Sequence, residues 1–104
     1  MTDDKLDDHA VKDLLAHALR GWTKSGNALE RTFELPDFKA ALGFVNAMGD
    51  RAEEMGHHPD IDIRYNKVKL SLTSHDAGGI TRRDLRLAEH AEKIAPAYHT
   101  RKTA

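Results

Sequence analysis

The sequence predicts an α+β domain in the order α-β-β-α-β-β-α, an antiparallel sheet covered on one face by helices. Two observations carry this expectation. The hydrophobic period alternates between about 3.6 and about 2 residues along the chain. Each period-2 region is also divided by a two-residue turn signal, the pattern of a hairpin. Hairpins separated by helices give an antiparallel sheet with the helices segregated to one side. At 104 residues the chain makes a single domain over 1–104. Its ordered core is expected over about residues 8–98, with polar fraying ends.

Taken in order, Val11, Leu14, Leu15 and Ala18 recur at helical spacing. Asp7 and Asp8 favour the helix start through the macrodipole, and Gly21 is expected to stop it. Trp22-Thr23-Lys24 reads as a short strand and Gly26-Asn27 as its turn. Leu29, Arg31, Phe33 and Leu35 then share one side of a second strand, with Glu30, Thr32 and Glu34 on the other. Pro36-Asp37 opens the longest helix, whose apolar stripe is Phe38, Ala41, Leu42, Val45, Met48, Ala52 and Met55. Gly56 is the left-handed residue expected to end it. Ile61, Ile63 and Tyr65 alternate on odd positions, whereas Val68, Leu70 and Leu72 alternate on even ones. A two-residue turn at Asn66-Lys67 reconciles that change of parity. Thr81, with Asp84 three residues on, resembles a capping box before a helix carrying Leu85, Ala88, Ala91 and Ile94 and ending before Pro96.

Composition excludes several classes of function. With 16 basic and 17 acidic residues, the formal charge of −1 lacks the basic footprint of a nucleic-acid binder. No apolar run approaches the ~18 residues that a membrane-spanning helix needs. The acidic start Met1-Thr2-Asp3-Asp4 is no signal peptide. Cysteine is absent, which removes a disulfide framework and a thiol nucleophile. A cytoplasmic protein is expected. So small a domain buries a limited share of its surface, so a two-layer fold helped by self-association, as a dimer or tetramer, suits it.

Seven histidines are unusual for this length. His9, His17, His90 and His99 read as scattered surface residues. The rest fall in Gly56-His57-His58-Pro59-Asp60 and, seventeen residues after His58, in Ser74-His75-Asp76. Pro59 keeps His58 extended past the helix end. The strand after His58 and the strand before His75 form one hairpin, so their outer ends bring His57, His58 and His75 together. Adjacent imidazoles resist being cationic at once, which makes one neutral and one protonated ring an acid–base pair. Glu53 lies one turn before His57, and Glu53 and Asp76 are the carboxylates placed to orient members of the cluster. Two other readings stay open on pattern alone. Three histidines and a carboxylate suit a transition metal, though the spacing matches no metal signature. Alternatively, His57 and His58 end a helix and His75 ends a strand, with no chemistry at all.

Beyond these patterns, Gly56-His57-His58-Pro59-Asp60, Tyr65-Asn66-Lys67-Val68, Thr73-Ser74-His75-Asp76-Ala77-Gly78-Gly79-Ile80-Thr81 and Arg83-Asp84 strongly resemble the pterin-4a-carbinolamine dehydratases. Gly21-Trp22, Leu29-Glu30-Arg31, Phe33, Asp37-Phe38, Phe44-Val45 and Ala52-Glu53 extend the likeness over about residues 11–95. The resemblance implies a four-stranded antiparallel sheet with three helices on one face. It implies a hydro-lyase that converts 4a-hydroxytetrahydrobiopterin to quinonoid dihydropterin and water. That reaction follows an aromatic amino acid hydroxylase in tetrahydrobiopterin recycling and needs neither metal nor redox cofactor. By the same resemblance His57, His58 and His75 are the catalytic histidines, with His57 and His75 moving protons and His58 holding the ring. Glu53, Asp76 and Arg83 match positions near that site and are assigned to substrate binding, Glu53 either orienting His57 or meeting the polar edge of the pterin, and Arg83 alternatively a solvated first-turn residue. Trp22 is assigned to the core rather than to the site wall. Ile61-Asp62 stands where animal members carry aromatics. Two functions of other classes compete, a non-catalytic protein-binding module on this fold and a His-rich metal-dependent enzyme.

Overall fold

A computed structural model describes residues 5–99 of the chain. Helix α1 (Asp8–His17) leads into the hairpin β1 (Thr23–Ser25) and β2 (Ala28–Glu34). Helix α2 (Phe38–Met55) crosses to the second hairpin, β3 (Asp60–Arg64) and β4 (Lys67–Leu72), and helix α3 (Arg82–Ile94) follows. The expected order and the four-stranded antiparallel sheet are both present. A 3₁₀ turn at His75–Ala77 and a short helix α4 at Pro96–His99 add to it. Strand order is β1-β2-β4-β3, so the two hairpins join through their inner strands, β2 against β4.

Local chemistry explains the helix ends. The Asp7 and Asp37 carboxylates accept from the backbone N–H groups of Ala10 and Ala40, each at 2.8 Å, and so satisfy donors that a first turn leaves unpaired. Gly56 ends α2 at φ 64°, a left-handed conformation that a side chain would strain. Thr81 and Asp84 form the capping box of α3.

One face of the sheet, carrying Leu29, Phe33, Val68, Leu70 and Leu72, packs against Val11, Ala41, Phe44, Met48, Leu87, Ala88 and Ala91 of the helices. Trp22 belongs to this core at 3% exposure, edge-on to Phe33, which in turn tilts against Phe44 at 4.9 Å. Its indole N–H donates to Glu92 at 2.8 Å, and the same carboxylate accepts from Arg31, whose guanidinium lies 4.4 Å from the Phe33 ring centre. Arg31 therefore lies on the apolar side of β2 with its charge neutralised.

Several boundaries depart from expectation. Helix α1 ends at His17, short of Gly21, because Leu19 turns into the core and its N–H bonds the Leu14 carbonyl. The N-terminal residues 5–8 do not fray, since the Leu6 N–H donates to the Ile80 carbonyl at 2.8 Å and Asp7 caps α1. At the other end His99 belongs to α4, and residues 100–104 lie outside the described residues, as do 1–4. The buried stripe of α2 is Ala40, Ala41, Phe44, Met48 and Ala52, whereas Phe38 and Leu42 remain exposed.

The second hairpin turns one residue earlier than expected. Arg64 pairs with Lys67, so the turn is Tyr65-Asn66. Both frames keep Ile61 and Ile63 on the face of Val68 and Leu70, so parity could not separate them. Contacts with β2 do. The Asn66 amide donates to the Leu35 carbonyl at 2.8 Å, the Leu35 N–H donates to the Asn66 carbonyl, and Lys67 pairs with Glu34. The cost falls on Tyr65, the one non-glycine residue with positive φ (55°) among the described residues.

Because the penalty at Tyr65 arises from a Cβ in the left-handed region, Tyr65→Gly should be more stable than Tyr65→Ala by about 1 kcal/mol. Both variants lose the stacking of Tyr65 on Phe38 equally, so denaturant unfolding isolates the backbone effect. An alanine variant as stable as the glycine one would mean that the turn stores no strain.

Candidate active site

The left-handed turn at Gly56 sends the next two side chains in opposite directions. His57 is 8% exposed and points beneath the first turn of α3, while His58 lies out at the surface. Pairing of Asp60 with Ser71 sets the start of β3 beside the end of β4, and the chain leaving β4 runs through Thr73 and Ser74 into the 3₁₀ turn that carries His75 and Asp76. His57, His58, His75, Asp76 and Arg83 thereby line one open cleft of about 380 Å³, together with Gly56 and Thr73. His75 is at the 3₁₀ turn rather than on the strand, because β4 stops at Leu72 and Ser74 bridges Gly79.

Beneath the cleft lies a network that patterning alone did not reveal. Among the described residues the buried polar side chains are His57, Ser74, Thr81 and Asp84, and all four are bonded to one another. Asp84 is fully buried, and its Oδ1 lies 2.5 Å from His57 Nε2. Its Oδ2 accepts from the Ser74 hydroxyl at 2.8 Å and from the Thr81 N–H at 2.9 Å. Ser74 has spent its proton on Asp84, so the Thr81 hydroxyl, 2.8 Å away, donates to Ser74. A carboxylate only accepts, so His57 carries its proton on Nε2 and presents Nδ1 as its remaining nitrogen.

This arrangement corrects one expected role. Glu53 does not orient His57; its Oε2 lies 2.5 Å from His58 Nε2, and both side chains are largely exposed. Asp84 holds His57 instead, because the turn at Gly56 aims that ring at α3 and away from α2. The Thr81-x-x-Asp84 capping box was visible in the sequence, but the second oxygen of its carboxylate had no assigned partner there.

At the rim, the Arg83 guanidinium reaches both oxygens of Asp76, at 2.8 and 3.0 Å. That bond, with the positive charge behind it, holds the Asp76 carboxyl below its usual range, so it is ionised at neutral pH. His75 makes no side-chain hydrogen bond among the described residues, which leaves both of its nitrogens to the cleft. Among the described residues, no three His, Asp or Glu side chains converge so as to hold a metal ion. Of the four histidines read as scattered, His9, His17 and His99 are exposed. His90 is half-buried, and that burial, with Arg51 and Lys93 nearby, lowers its imidazole below the ordinary range.

Asp84→Ala would leave the His57, Ser74 and Thr81 donors without their acceptor in a dry setting, at a cost of about 3 kcal/mol or more. Chemical denaturation measures this directly. A loss below about 1 kcal/mol would mean that water replaces the carboxylate at little cost.

The comparisons agree on one family. The model of the pterin 4 alpha carbinolamine dehydratase family matches residues 4–94. A protein of Roseiflexus sp. (strain RS-1), named as a candidate pterin-4-alpha-carbinolamine dehydratase, is 49% identical over 86% of this chain and 96% of its own length. One from Koribacter versatilis, named likewise, is 52% identical over 76% of this chain and 84% of its own. The crystal structure of a transcriptional coactivator/pterin dehydratase from Brucella melitensis superposes with a TM-score of 0.85 at 33% identity, covering 88% of this chain and 99% of that one. A pterin dehydratase-like protein identified as a RuBisCO assembly factor in the alpha-carboxysome shares the fold at 20% identity, with a TM-score of 0.59. With its fold and nearly its whole length matched, the chain belongs to the pterin 4 alpha carbinolamine dehydratase family.

Proposed function

We propose that the chain dehydrates a 4a-hydroxytetrahydropterin to the quinonoid dihydropterin by histidine acid–base catalysis. The observation that carries this reading is the pairing of His57 with a fully buried carboxylate at the floor of a cleft shared with His58 and His75. Dehydration removes the N5 proton and breaks the C4a–O bond; the N5–C4a double bond forms, and the hydroxyl leaves as water once protonated. The two proton transfers fall at different atoms of the substrate and call for two groups. His57 is the base, taking the N5 proton on Nδ1 while Asp84 stabilises the resulting imidazolium. His75, which makes no side-chain hydrogen bond among the described residues, is the acid at the departing hydroxyl. His58, held by Glu53, lies against the ring. The ionised Asp76, fixed by Arg83, accepts from the amino-pyrimidine edge, whose N–H groups suit a carboxylate.

Neither metal nor redox cofactor enters this scheme. The physiological setting that fits is cytoplasmic recycling of the pterin used by an aromatic amino acid hydroxylase, with tetrahydrobiopterin as the cofactor regenerated. Self-association as a dimer or tetramer is part of the same proposal. It draws support from the small core and from Phe38, Leu42 and Tyr65, large apolar side chains left exposed.

Purified protein should accelerate dehydration of synthetic 4a-hydroxytetrahydropterin and keep its rate after dialysis against a chelator. General acid–base groups contribute about 10²–10⁴-fold each. His57→Ala and His75→Ala should therefore lower kcat within that range, while His58→Ala mainly raises KM. The double variant His57→Ala/His75→Ala should lose less than the product of the single losses, as residues acting as a unit do. Wild-type kcat in both single variants would end the acid–base assignment. A chelator-sensitive rate restored by zinc would replace it with metal chemistry. No acceleration over buffer would favour a protein-binding role on this fold.

A further inference from the structure

We infer that Ser74 is a positioning residue that sets His57 and His75 together. Two contacts of one residue support this. Its side chain donates to Asp84 Oδ2 at 2.8 Å and so fixes the carboxylate whose other oxygen holds His57. Its backbone exchanges hydrogen bonds with Gly79, at 3.0 and 3.2 Å, closing the loop whose next residue is His75. The two histidines come from separate elements, the exit of α2 and the turn after β4, with no direct side-chain bond between them among the described residues. Ser74 is the point at which both are anchored.

Proton accounting makes the hydroxyl directional. Ser74 Oγ has one proton, given to Asp84, and it receives the Thr81 proton in return. Thr81 Oγ1 in turn accepts from the Arg83 N–H at 3.2 Å. A chain therefore runs from the α3 backbone through two hydroxyls to the carboxylate, and every side chain in it from Thr81 to His57 is buried. With its Oδ2 held by two donors, Asp84 cannot rotate without breaking both, so Oδ1 stays directed at Nε2. Buried networks of this kind polarise in one sense and lock a single geometry. Removing the serine hydroxyl takes away one of the two donors that hold Oδ2 and leaves the Thr81 proton without an acceptor.

The kinetic part of the test rests on the dehydratase reading, and the spectroscopic part does not. Ser74→Ala should lower kcat about tenfold, the scale of one buried hydrogen bond to a charged group, with KM changed less than twofold. In an Asp84→Asn background the same change should alter kcat less than twofold, because the hydroxyl acts through the carboxylate. In ¹⁵N NMR spectra of folded protein, His57 should show one tautomer, protonated on Nε2, and Ser74→Ala should mix the two. If Ser74→Ala does not fold, Ser74→Cys substitutes a poor donor of similar size and should give the same changes. A single unchanged tautomer in the variant, or a full multiplicative loss in the Asp84→Asn background, would overturn the inference. Absence of dehydration by the wild-type protein would remove the catalytic reading, yet the tautomer measurement would still decide the role of Ser74.

Discussion

The buried carboxylate of Asp84 is the constraint on which the rest of this small domain depends. A charge taken out of water is tolerated only when it is paired and hydrogen-bonded. Here the occupants come from three places: His57 from the end of α2, Ser74 from the loop after β4, and Thr81 from the cap of α3. Satisfying one group thus dictates how the long helix, the second hairpin and the last helix meet. The cleft is a consequence of that meeting. The stability of the domain and the shape of its cleft rest on the same side chains, so a substitution in the network affects both.

The cleft divides its work by burial. His57 is enclosed and fixed, whereas His58 and His75 lie at the surface. The exposed His58–Glu53 pair is screened by water and adds little to stability, in contrast to the enclosed His57–Asp84 pair. A ligand-facing ring at the surface can adjust to its partner; a buried one cannot. The same contrast separates Asp84, enclosed and multiply bonded, from Asp76, open to solvent and held by Arg83. Of the two, Asp84 anchors the fold from the first turn of α3, whereas Asp76, in the 3₁₀ turn, faces the cleft.

Much of this was legible in the sequence because its signals are local. Asp7, Asp37, Gly56 and Thr81 each announce a helix end through chemistry confined to one turn. The meeting of His57, His58 and His75 follows from hairpin geometry alone. What escaped was non-local. Parity allowed two frames for the second turn, and the choice fell to Asn66 and Lys67 meeting β2, strands that sequence alone does not align. The stripe assigned to α2 included Phe38 and Leu42 and passed over Phe44, because an apolar periodicity broader than the core does not say which edge faces inward. Of the two roles open to Glu53, orienting His57 is excluded by its bond to His58, and spacing along a helix cannot foresee the reversal at Gly56. Asp84 was read as a cap and nothing more; its second role needs the position of an element 27 residues away.

The strand order β1-β2-β4-β3 has a consequence for how the domain assembles. Each hairpin closes a short loop and forms from neighbours in sequence, but the central β2–β4 pair must first enclose the whole of α2 and β3. Loop closure of that length delays the contact, so the inner pair forms after the outer ones. The His57–Asp84 bond links residues 27 apart in sequence and requires α3 to dock against the end of α2. In this architecture the cleft exists only where the long helix, the second hairpin and the last helix have all met, so its integrity reports on the fold as a whole.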